Sequence, residues 1–389
     1  MSKDTKERQG PDAGGVSRRR LLEGLALGAV TTAQAGPASL PVLAQPTPRK
    51  AGRPYRKLLL GAGGIKGAFQ AGAIRRTLEL GFRPDVIYGV SAGSLNGAFL
   101  ADRAFFLGKP RKQYFDATGS KAPGGMDLGA PVDWPFIGAE LTRFWTDKVT
   151  GPKSLARRRS FRAALALMLR SFDGLYDNEP LRKLVHATID RQRVRNSGIP
   201  FGVVATNIDT GQAEYHFDGQ DGVDIRDAVV ASSAMPVAFP LAKLAGTFGV
   251  KQYCDGAMRE IVPITLAIKP GVPRPPTHLV AIVCQPPRSV LGRLDQPGNI
   301  IHLMQRQIDI VAEELIQNDL RALEGSGIRH IAIRPDVVIN RDDKTRRIYE
   351  IDNFEAHHIS EMIHRGAFYA KHVLGLPQSR FVEDGFRDA

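Results

Sequence analysis

Cysteine is scarce in this chain, which has two, Cys254 and Cys284, among 389 residues. So few cysteines exclude a fold held together by several disulfide bonds. Both lie at the ends of apolar runs that resemble core strands, and we interpret them as buried free thiols. A bridge between them is the alternative if the protein is exported.

Long apolar runs and internal repeats are also missing. No interior segment approaches the ~18 apolar residues that a membrane-spanning helix needs. The lack of repeats and of long low-complexity tracts argues against a solenoid and against a disordered chain. Hydrophobic content of 43% and charged content of 24% are ordinary for a globular protein. The length suffices for one large α/β domain or two smaller ones.

Acidic residues are the minority charge, because 40 Asp and Glu face 53 Lys and Arg and leave a net charge of +13. Such a field attracts anionic partners. No helix-turn-helix, zinc-finger or RNP-like signature accompanies the charge, so we expect no nucleic-acid binding. An anionic membrane surface is the partner that we expect instead.

The N-terminus has the layout of a twin-arginine export signal. Ser17-Arg-Arg-Arg-Leu-Leu22 precedes a weakly apolar stretch over 25–35 and then small residues. Cleavage after Ala35 or after Ala44 satisfies a small-x-small rule, and we favour Ala44 because Gln45-Pro-Thr-Pro then begins an exposed lead-in. The alternative is a disordered basic tail.

We therefore predict an export signal over 1–44, a linker over 45–54 and an exported protein, periplasmic or secreted, in contact with a membrane. The signal holds six Lys and Arg against four acids, so its removal lowers the net charge from +13 to +11.

Apolar spacing alternates between the periods of strands and helices. Strands are predicted over 55–60, 86–90, 201–206, 249–254, 279–284 and 328–333, and helices over 67–80, 92–100, 177–190, 224–233, 300–323 and 353–374. The order strand, glycine loop, helix, strand, serine turn, helix is a βαβα unit and predicts an α/β fold with a mostly parallel sheet.

Gly89-Val-Ser-Ala-Gly93 places Ser91 between a predicted strand and a predicted helix. A sharp strand-to-helix turn exposes a serine as a nucleophile, and the glycines at 89 and 93 permit that turn. We predict that Ser91 is a nucleophile. The alternative is that it merely caps the helix that follows.

Gly61-Ala-Gly-Gly-Ile-Lys-Gly67 fails as a dinucleotide fingerprint, because Lys66 stands where the third glycine belongs, and it lacks the Gly-Lys-Ser/Thr of a P-loop. It fits an anion site instead, since the N–H groups of Gly63, Gly64 and Ile65 lead into a helix N-terminus. We predict that these groups bind an oxyanion. Lys66 can orient the loop or bind an acidic headgroup.

Asp255-Gly-Ala257 follows the predicted strand 249–254. A carboxylate at the carboxyl end of a strand lies where α/β sheets bind their ligands, and Gly256 allows the turn. We predict that Asp255 is the base for Ser91, although an ordinary Asp-Gly turn reads the same in isolation. A serine with a carboxylate base needs no metal and no cofactor, and we expect neither.

Four segments together resemble the patatin-like phospholipase family over about residues 57–270. They are Gly-Gly-Ile-Lys-Gly at 63–67, Gly-Val-Ser-Ala-Gly-Ser-Leu-Asn-Gly at 89–97, Ala-Ser-Ser-Ala-Met-Pro-Val-Ala-Phe-Pro at 231–240 and Asp-Gly-Ala-Met-Arg-Glu-Ile-Val-Pro at 255–263. The sequence departs from the family's usual residues at Ala62, Lys66, Ala257 and Ile261. None of these removes a reacting group, so they put details of the substrate in doubt and leave the chemistry in place.

The resemblance implies a three-layer α/β/α sandwich, with a catalytic core over 55–270 that residues 271–389 complete. It implies hydrolysis of phospholipid or other acyl-ester lipids by a serine–aspartate dyad, with Ser91 as nucleophile, Asp255 as base and Gly63 and Gly64 in the oxyanion loop. It also implies that three residues shape the pocket: Ser232, Ser233 and Pro236.

Residues 105–175 interrupt the alternation with prolines and aromatics, then with cations and no acid between Asp147 and Asp173. We predict a cap over the active site, whose second part is a basic amphipathic helix on a lipid surface. A surface helix that docks its apolar residues on the core is the alternative, since its apolar moment is the same.

Two other functions fit the motifs less well. A conventional triad would add a downstream histidine to Ser91 and Asp255. The candidates are His278, His302, His330, His357 and His358. A lipid-binding protein without turnover is supported by Ala62 and Ile261 alone.

Overall fold

The computed structural model describes residues 55–150, 152–158, 174–220, 222–247, 249–268, 278–287, 300–335 and 356–375. All of them belong to one compact unit, Val42–Ala389. The predicted export signal and linker over 1–54 lie outside the described residues, as does the 159–173 part of the predicted basic helix. No helix of the described part is both long and apolar enough to cross a membrane.

A central sheet of eight strands organises the described part of the chain. Its strands are β1 Arg56–Leu60, β2 Val86–Val90, β5 Phe201–Asn207, β6 Ala213–Phe217, β7 Ala242–Gly246, β8 Gly249–Asp255, β9 His278–Ile282 and β10 Arg329–Ile333. A separate antiparallel pair joins β3 Arg157–Arg158 to β4 Tyr176–Asp177. All six predicted strands are present, and β3, β4, β6 and β7 are additional.

Ten α-helices are described around the sheet. They are α1 Gly67–Glu79, α2 Ala92–Ala104, α3 Arg111–Thr118, α4 Trp134–Lys148, α5 Glu179–Thr188, α6 Arg191–Asn196, α7 Ile225–Ser232, α8 Thr265–Ile268, α9 Ile300–Gly325 and α10 Ala356–Leu374. The six predicted helices correspond to α1, α2, α5, α7, α9 and α10, with ends that differ by a few residues.

The sheet is mixed, so the prediction of a mostly parallel sheet needs refinement. Its order is β10-β9-β1-β2-β5-β8-β7, and β6 also pairs with β5. The strands from β10 to β5 are mutually parallel, whereas β6, β7 and β8 are antiparallel to their partners. A short hairpin connection suffices for antiparallel neighbours, which explains how β7 and β8 follow each other directly.

Strand β5 changes partner along one edge, and this change brings the site together. Val204 of β5 pairs with Val90, the last residue of β2, while the next residue, Ala205, pairs with Asp255 of β8. The other edge of β5 is occupied by β6. Strand β8 therefore takes the place that β2 would have filled had it continued. Because Ser91 directly follows Val90, the register places Ser91 and Asp255 next to each other.

Helices cover both faces of the sheet. Leu58 and Leu60 of β1 belong to a buried cluster with residues of α1, α2, α4, α7 and α10. Leu59 belongs to a second cluster, with residues of α9 and of the segment that contains α8. Alternate residues of a strand point to opposite faces, so one apolar strand serves two cores. The predicted three-layer α/β/α sandwich is confirmed.

Part of the predicted cap is a core helix. Helix α4 lies within 105–175 and packs against α1 and α2, and its residues Ile137, Leu141 and Trp145 are buried. Pro135, one of the prolines that suggested an interruption, stands in the first turn of α4, where a missing N–H costs no hydrogen bond. Asp133 caps this helix by accepting a hydrogen bond from the Phe136 N–H at 2.8 Å.

Candidate active site

Ser91 stands on a strained turn between β2 and α2. Its backbone has φ 53° and ψ −123°, a conformation that non-glycine residues rarely adopt and that occurs mainly at functional sites. Its carbonyl accepts the Ser94 N–H at 2.8 Å, which starts the helix. The side chain does not cap α2. The helix-cap alternative for Ser91 therefore has no support.

The glycines on either side of Ser91 are required by close backbone contacts. A Cβ atom on Gly93 would lie 2.1 Å from the Leu60 carbonyl oxygen, and one on Gly89 would lie 2.5 Å from the Gly93 carbonyl oxygen. Helix α2 thus starts directly against the end of β1, where the glycine loop begins. No larger residue fits at either position without moving these elements.

The Ser232 side chain is hydrogen-bonded to the backbone of the turn that carries Ser91. Its hydroxyl donates to the Val204 carbonyl at 2.6 Å and accepts the Ser91 N–H at 2.8 Å. The side chain is fully buried at the end of α7. The family resemblance assigned Ser232 to the pocket, and the structure gives it a different contact, with the backbone of the turn. Its neighbour Ser233 donates to the Val229 carbonyl of its own helix.

Asp255 ends β8 with its carboxyl group buried. Its side chain accepts the Ala257 N–H at 2.8 Å, and the Ser91 side chain lies close enough to lower its pKa. Its own N–H donates to the Ala234 carbonyl at 2.9 Å. A Cβ atom on Gly256 would lie 2.3 Å from the Val204 carbonyl oxygen, which explains the glycine after the aspartate.

Burial raises the pKa of Asp255 from 3.8 to about 7, against the opposing effects of the Ala257 N–H and the Ser91 side chain. Removing a carboxylate from water penalises its charged form, while hydrogen bonds donated to it favour that form. An ordinary aspartate is too weak a base to take a serine proton near neutral pH. A carboxyl group with a pKa near 7 is suited to that exchange.

The glycine loop turns through a 3-10 segment, Gly64–Lys66, before α1. Within the described ranges, the N–H groups of Gly63, Gly64 and Ile65 donate to no protein acceptor. Gly64 has φ 54° and is exposed, so its peptide can face a ligand. Ala62 is not among the residues with positive φ, so this departure from the family pattern is tolerated without strain.

Contacts with neighbouring side chains explain two further residues of this loop, Gly67 and Lys66. A Cβ atom on Gly67 would lie 2.5 Å from the Trp145 ring and 3.1 Å from the Ala92 side chain, next to Ser91. The Lys66 ammonium group donates to the Gln285 side-chain oxygen at 3.1 Å. Lys66 therefore supports the loop in the structure.

Both cysteines are buried free thiols, as predicted. Burial raises the pKa of Cys254 to about 11 and that of Cys284 to about 12, which keeps both unreactive near neutral pH. A Cβ atom on Gly63 would lie 2.7 Å from the Cys284 sulfur. The Cys284 side chain therefore packs directly against the glycine loop at Gly63.

Two of the five histidine candidates lie at the wrong end of the sheet. His278 and His330 sit at the amino ends of β9 and β10, whereas Ser91 follows the carboxyl end of β2. Along the strands, five or more residues separate each of these histidines from the level of Ser91. At ~3.3 Å per residue, this is a distance of about 16 Å or more. The others lie in helices, His302 in α9 and His357 and His358 in α10.

The described contacts of Ser91 include a carboxylate and no imidazole. The side chain of His302 lies outside the described part of the chain. In that part, no three His, Cys, Asp or Glu side chains form a group that could hold a metal ion.

Three buried polar residues beside the loop were not predicted, Gln70, Asn96 and Trp145. Each is hydrogen-bonded to another member of this group. Asn96 is the polar residue within an otherwise small and apolar stretch of α2, and Gln70 stands similarly in α1. A buried amide needs partners, so these two positions were the available signal.

Two comparisons with known proteins gave matches. The crystal structure of VipD from Legionella pneumophila matches with a TM-score of 0.34 and 11% identity, covering 83% of this chain and 67% of that one. The family model for patatin-like phospholipase matches residues 58–268, more than half of the chain, and spans both Ser91 and Asp255. The chain therefore belongs to the patatin-like phospholipase family.

Proposed function

We propose that the protein is a lipid acyl hydrolase of phospholipase A or esterase type that cleaves carboxylic esters through a Ser91–Asp255 dyad. Family membership supports lipid acyl hydrolysis in general. The observation that carries the dyad is the buried Asp255 carboxyl, placed by strand register next to a serine on a strained turn, with its pKa raised to about 7.

In this mechanism, the Asp255 carboxylate takes the Ser91 proton while Oγ attacks the ester carbonyl carbon. The free N–H groups of Gly63, Gly64 and Ile65 stabilise the oxyanion, an effect worth roughly 10²–10³ in rate per donor. The carbon–oxygen bond then breaks, and the alcohol leaves with the proton from Asp255. Water then gives a proton to Asp255 and attacks the acyl carbon. As the bond from that carbon to Ser91 Oγ breaks, Asp255 returns the proton to Oγ, and the fatty acid is released.

A lipid surface is the proposed partner. Beside the dyad lies an uncharged segment, Met235-Pro-Val-Ala-Phe-Pro-Leu241. Val237 is 44% exposed, and its carbonyl accepts the N–H of Leu175, which is 38% exposed. Exposed apolar patches of this kind mark membrane or partner contacts, and a net charge of +13 favours anionic lipid. We also propose export across a membrane, from the paired arginines. Removal of the export signal would leave the net charge positive, at +11.

The test is release of fatty acid from phospholipid vesicles and of nitrophenol from p-nitrophenyl butyrate. Ser91→Ala and Asp255→Ala are expected to lower kcat by at least about 10³-fold, because both groups act on the reacting atoms. Ser197→Ala and Asp116→Ala, which alter residues with local surface contacts, serve as matched controls. Wild-type rates in the two dyad variants would overturn the proposal.

A further inference from the structure

A buried hydrogen-bonded network connects the glycine loop to three helices. The Trp145 indole N–H of α4 donates to the Asn96 side-chain oxygen of α2 at 2.8 Å. The Asn96 amide nitrogen donates to the Gln70 side-chain oxygen of α1 at 2.9 Å and to the Gly67 carbonyl at 3.0 Å. The Gln70 amide nitrogen donates to the Gly61 carbonyl at 3.0 Å.

Each member of the Gln70–Asn96–Trp145 network is satisfied. Gln70 and Asn96 are fully buried and Trp145 is 1% exposed. Both amides use their nitrogen as a donor and their oxygen as an acceptor within the network. Buried polar groups cost free energy unless paired, and a fully paired network specifies a single arrangement of the elements that it joins.

The network fixes both ends of the loop and leaves its middle free. The Gly61 and Gly67 carbonyls accept its hydrogen bonds, and the Ala62 N–H is held by the Ile261 carbonyl at 2.9 Å. Between these fixed points lie the three N–H groups that donate to no acceptor among the described residues. The turn is thus anchored at its ends, and its donors remain available.

The same network ties the loop to the helix that carries the serine. Asn96 lies in the second turn of α2, which begins directly after Ser91. The Trp145 ring packs against Gly67, which in turn faces Ala92. The distance between the loop and Ser91 is therefore set by buried side chains whose described hydrogen bonds involve neither Ser91 nor Asp255.

We propose that Gln70, Asn96 and Trp145 are positioning residues that hold the oxyanion donors at a fixed distance from Ser91. This inference rests on the proposed function, because it assigns the loop to an oxyanion. A misplacement of about 1 Å costs roughly 10²-fold in rate, so partial loosening of the loop reduces turnover strongly. Donors that act in the transition state affect kcat and leave KM nearly unchanged.

The chain offers a matched pair of variants. Its two tryptophans, Trp134 and Trp145, both lie buried in α4. Trp145 donates to Asn96, whereas the Trp134 indole has no hydrogen-bond partner in the described part of the chain. Trp145→Phe is expected to lower kcat by about tenfold or more with KM unchanged, and Trp134→Phe is expected to retain both constants. Equal kcat values for the two variants would overturn the inference.

A second measurement does not require turnover. Hydrogen–deuterium exchange of the peptide that covers 61–67 reports the bonded N–H groups of Ala62, Lys66 and Gly67. Trp145→Phe is expected to speed this exchange relative to Trp134→Phe at matched distance from the melting temperature. Unchanged exchange would contradict the inference. An inactive wild-type enzyme would refute the proposed function and leave this measurement decisive.

A variant of Gln70 covers the case in which Trp145→Phe fails to fold. Gln70→Met keeps the side-chain length and removes the bond to the Gly61 carbonyl, with the same expected loss in kcat. If the three residues act as one unit, the double variant Trp145→Phe, Gln70→Met loses less than the product of the single losses. Strictly multiplicative losses would contradict a shared role.

Discussion

At Asp255, burial and hydrogen bonding act on the pKa in opposite directions, and burial has the larger effect. The carboxyl group is a base only when ionised. With a pKa raised to about 7, activity is expected to rise with pH up to about 7 and to level off above it. The dependence of kcat/KM on pH measures this pKa in the free enzyme. An inflection near 4, the ordinary range of aspartate, would contradict the assignment.

Ser232 gives a second test at the scale of one side chain. Replacing it with alanine leaves the buried Ser91 N–H without its acceptor, which is expected to destabilise the protein by about 1–3 kcal/mol and to lower kcat. Urea unfolding and steady-state kinetics measure the two effects. Ser233→Ala is the matched control, because the described hydrogen bond of that hydroxyl stays within its own helix. Equal effects of the two substitutions would contradict the role of Ser232.

Between elements, the closest contact at the site is that of α2 with the end of β1. Gly93→Ala would place a methyl group 2.1 Å from the Leu60 carbonyl oxygen, so the helix would have to move. The expected loss is about 3 kcal/mol in the free energy of unfolding, measured by urea titration. Gly124→Ala is the control, since a Cβ atom there meets nothing within 4 Å. A neutral Gly93→Ala would show that the contact is looser than described.

Elements with a strong apolar period were predictable, and those whose limits depend on distant partners were not. Four of the six predicted strands, β1, β2, β5 and β9, are buried along their whole length. The other two, β8 and β10, are exposed where they begin and were predictable from the apolar residues at their carboxyl ends. Strand β7, with mostly exposed or partly exposed residues and a terminal glycine, has no such pattern. Helix α4 was not predicted because it lies in the proline-containing stretch 105–175, which was interpreted as a cap. Its proline, Pro135, stands in the first turn, after the capping residue Asp133.

The candidate site likewise has features that could be predicted from the sequence and features that could not. Ser91 and Asp255 could be predicted because a strand-to-helix turn and a strand end are local features. The contact of Asp255 with Ser91 depends on β8 replacing β2 along β5, which no local pattern records. The Gln70–Asn96–Trp145 network joins three helices and was invisible for the same reason.

For the whole molecule, charge and exposed apolar surface together predict lipid binding. The segment 235–241 lies beside the dyad, and Val237 is among its exposed residues. Val237→Glu is expected to weaken binding to anionic vesicles and to slow their hydrolysis, while activity on p-nitrophenyl butyrate is retained. Vesicle co-sedimentation at increasing salt measures binding, which should fall as surface charges are screened.

The control for this prediction is Phe368→Glu, which adds the same charge at an exposed apolar position of α10. Equal loss of vesicle binding in both variants would assign the effect to net charge alone. Loss of activity on the soluble ester in Val237→Glu would indicate a damaged site.

The central claim is a serine hydrolase whose base is a carboxylate. Its most direct measurement is the rate at which a fluorophosphonate labels the enzyme, with the modified residue identified by peptide mass mapping. The dyad predicts a label on Ser91 and labelling at least about 10²-fold slower in Asp255→Asn, with unchanged rates when each of the five candidate histidines is replaced. Labelling of Asp255→Asn at the wild-type rate, together with a slow histidine variant, would contradict it.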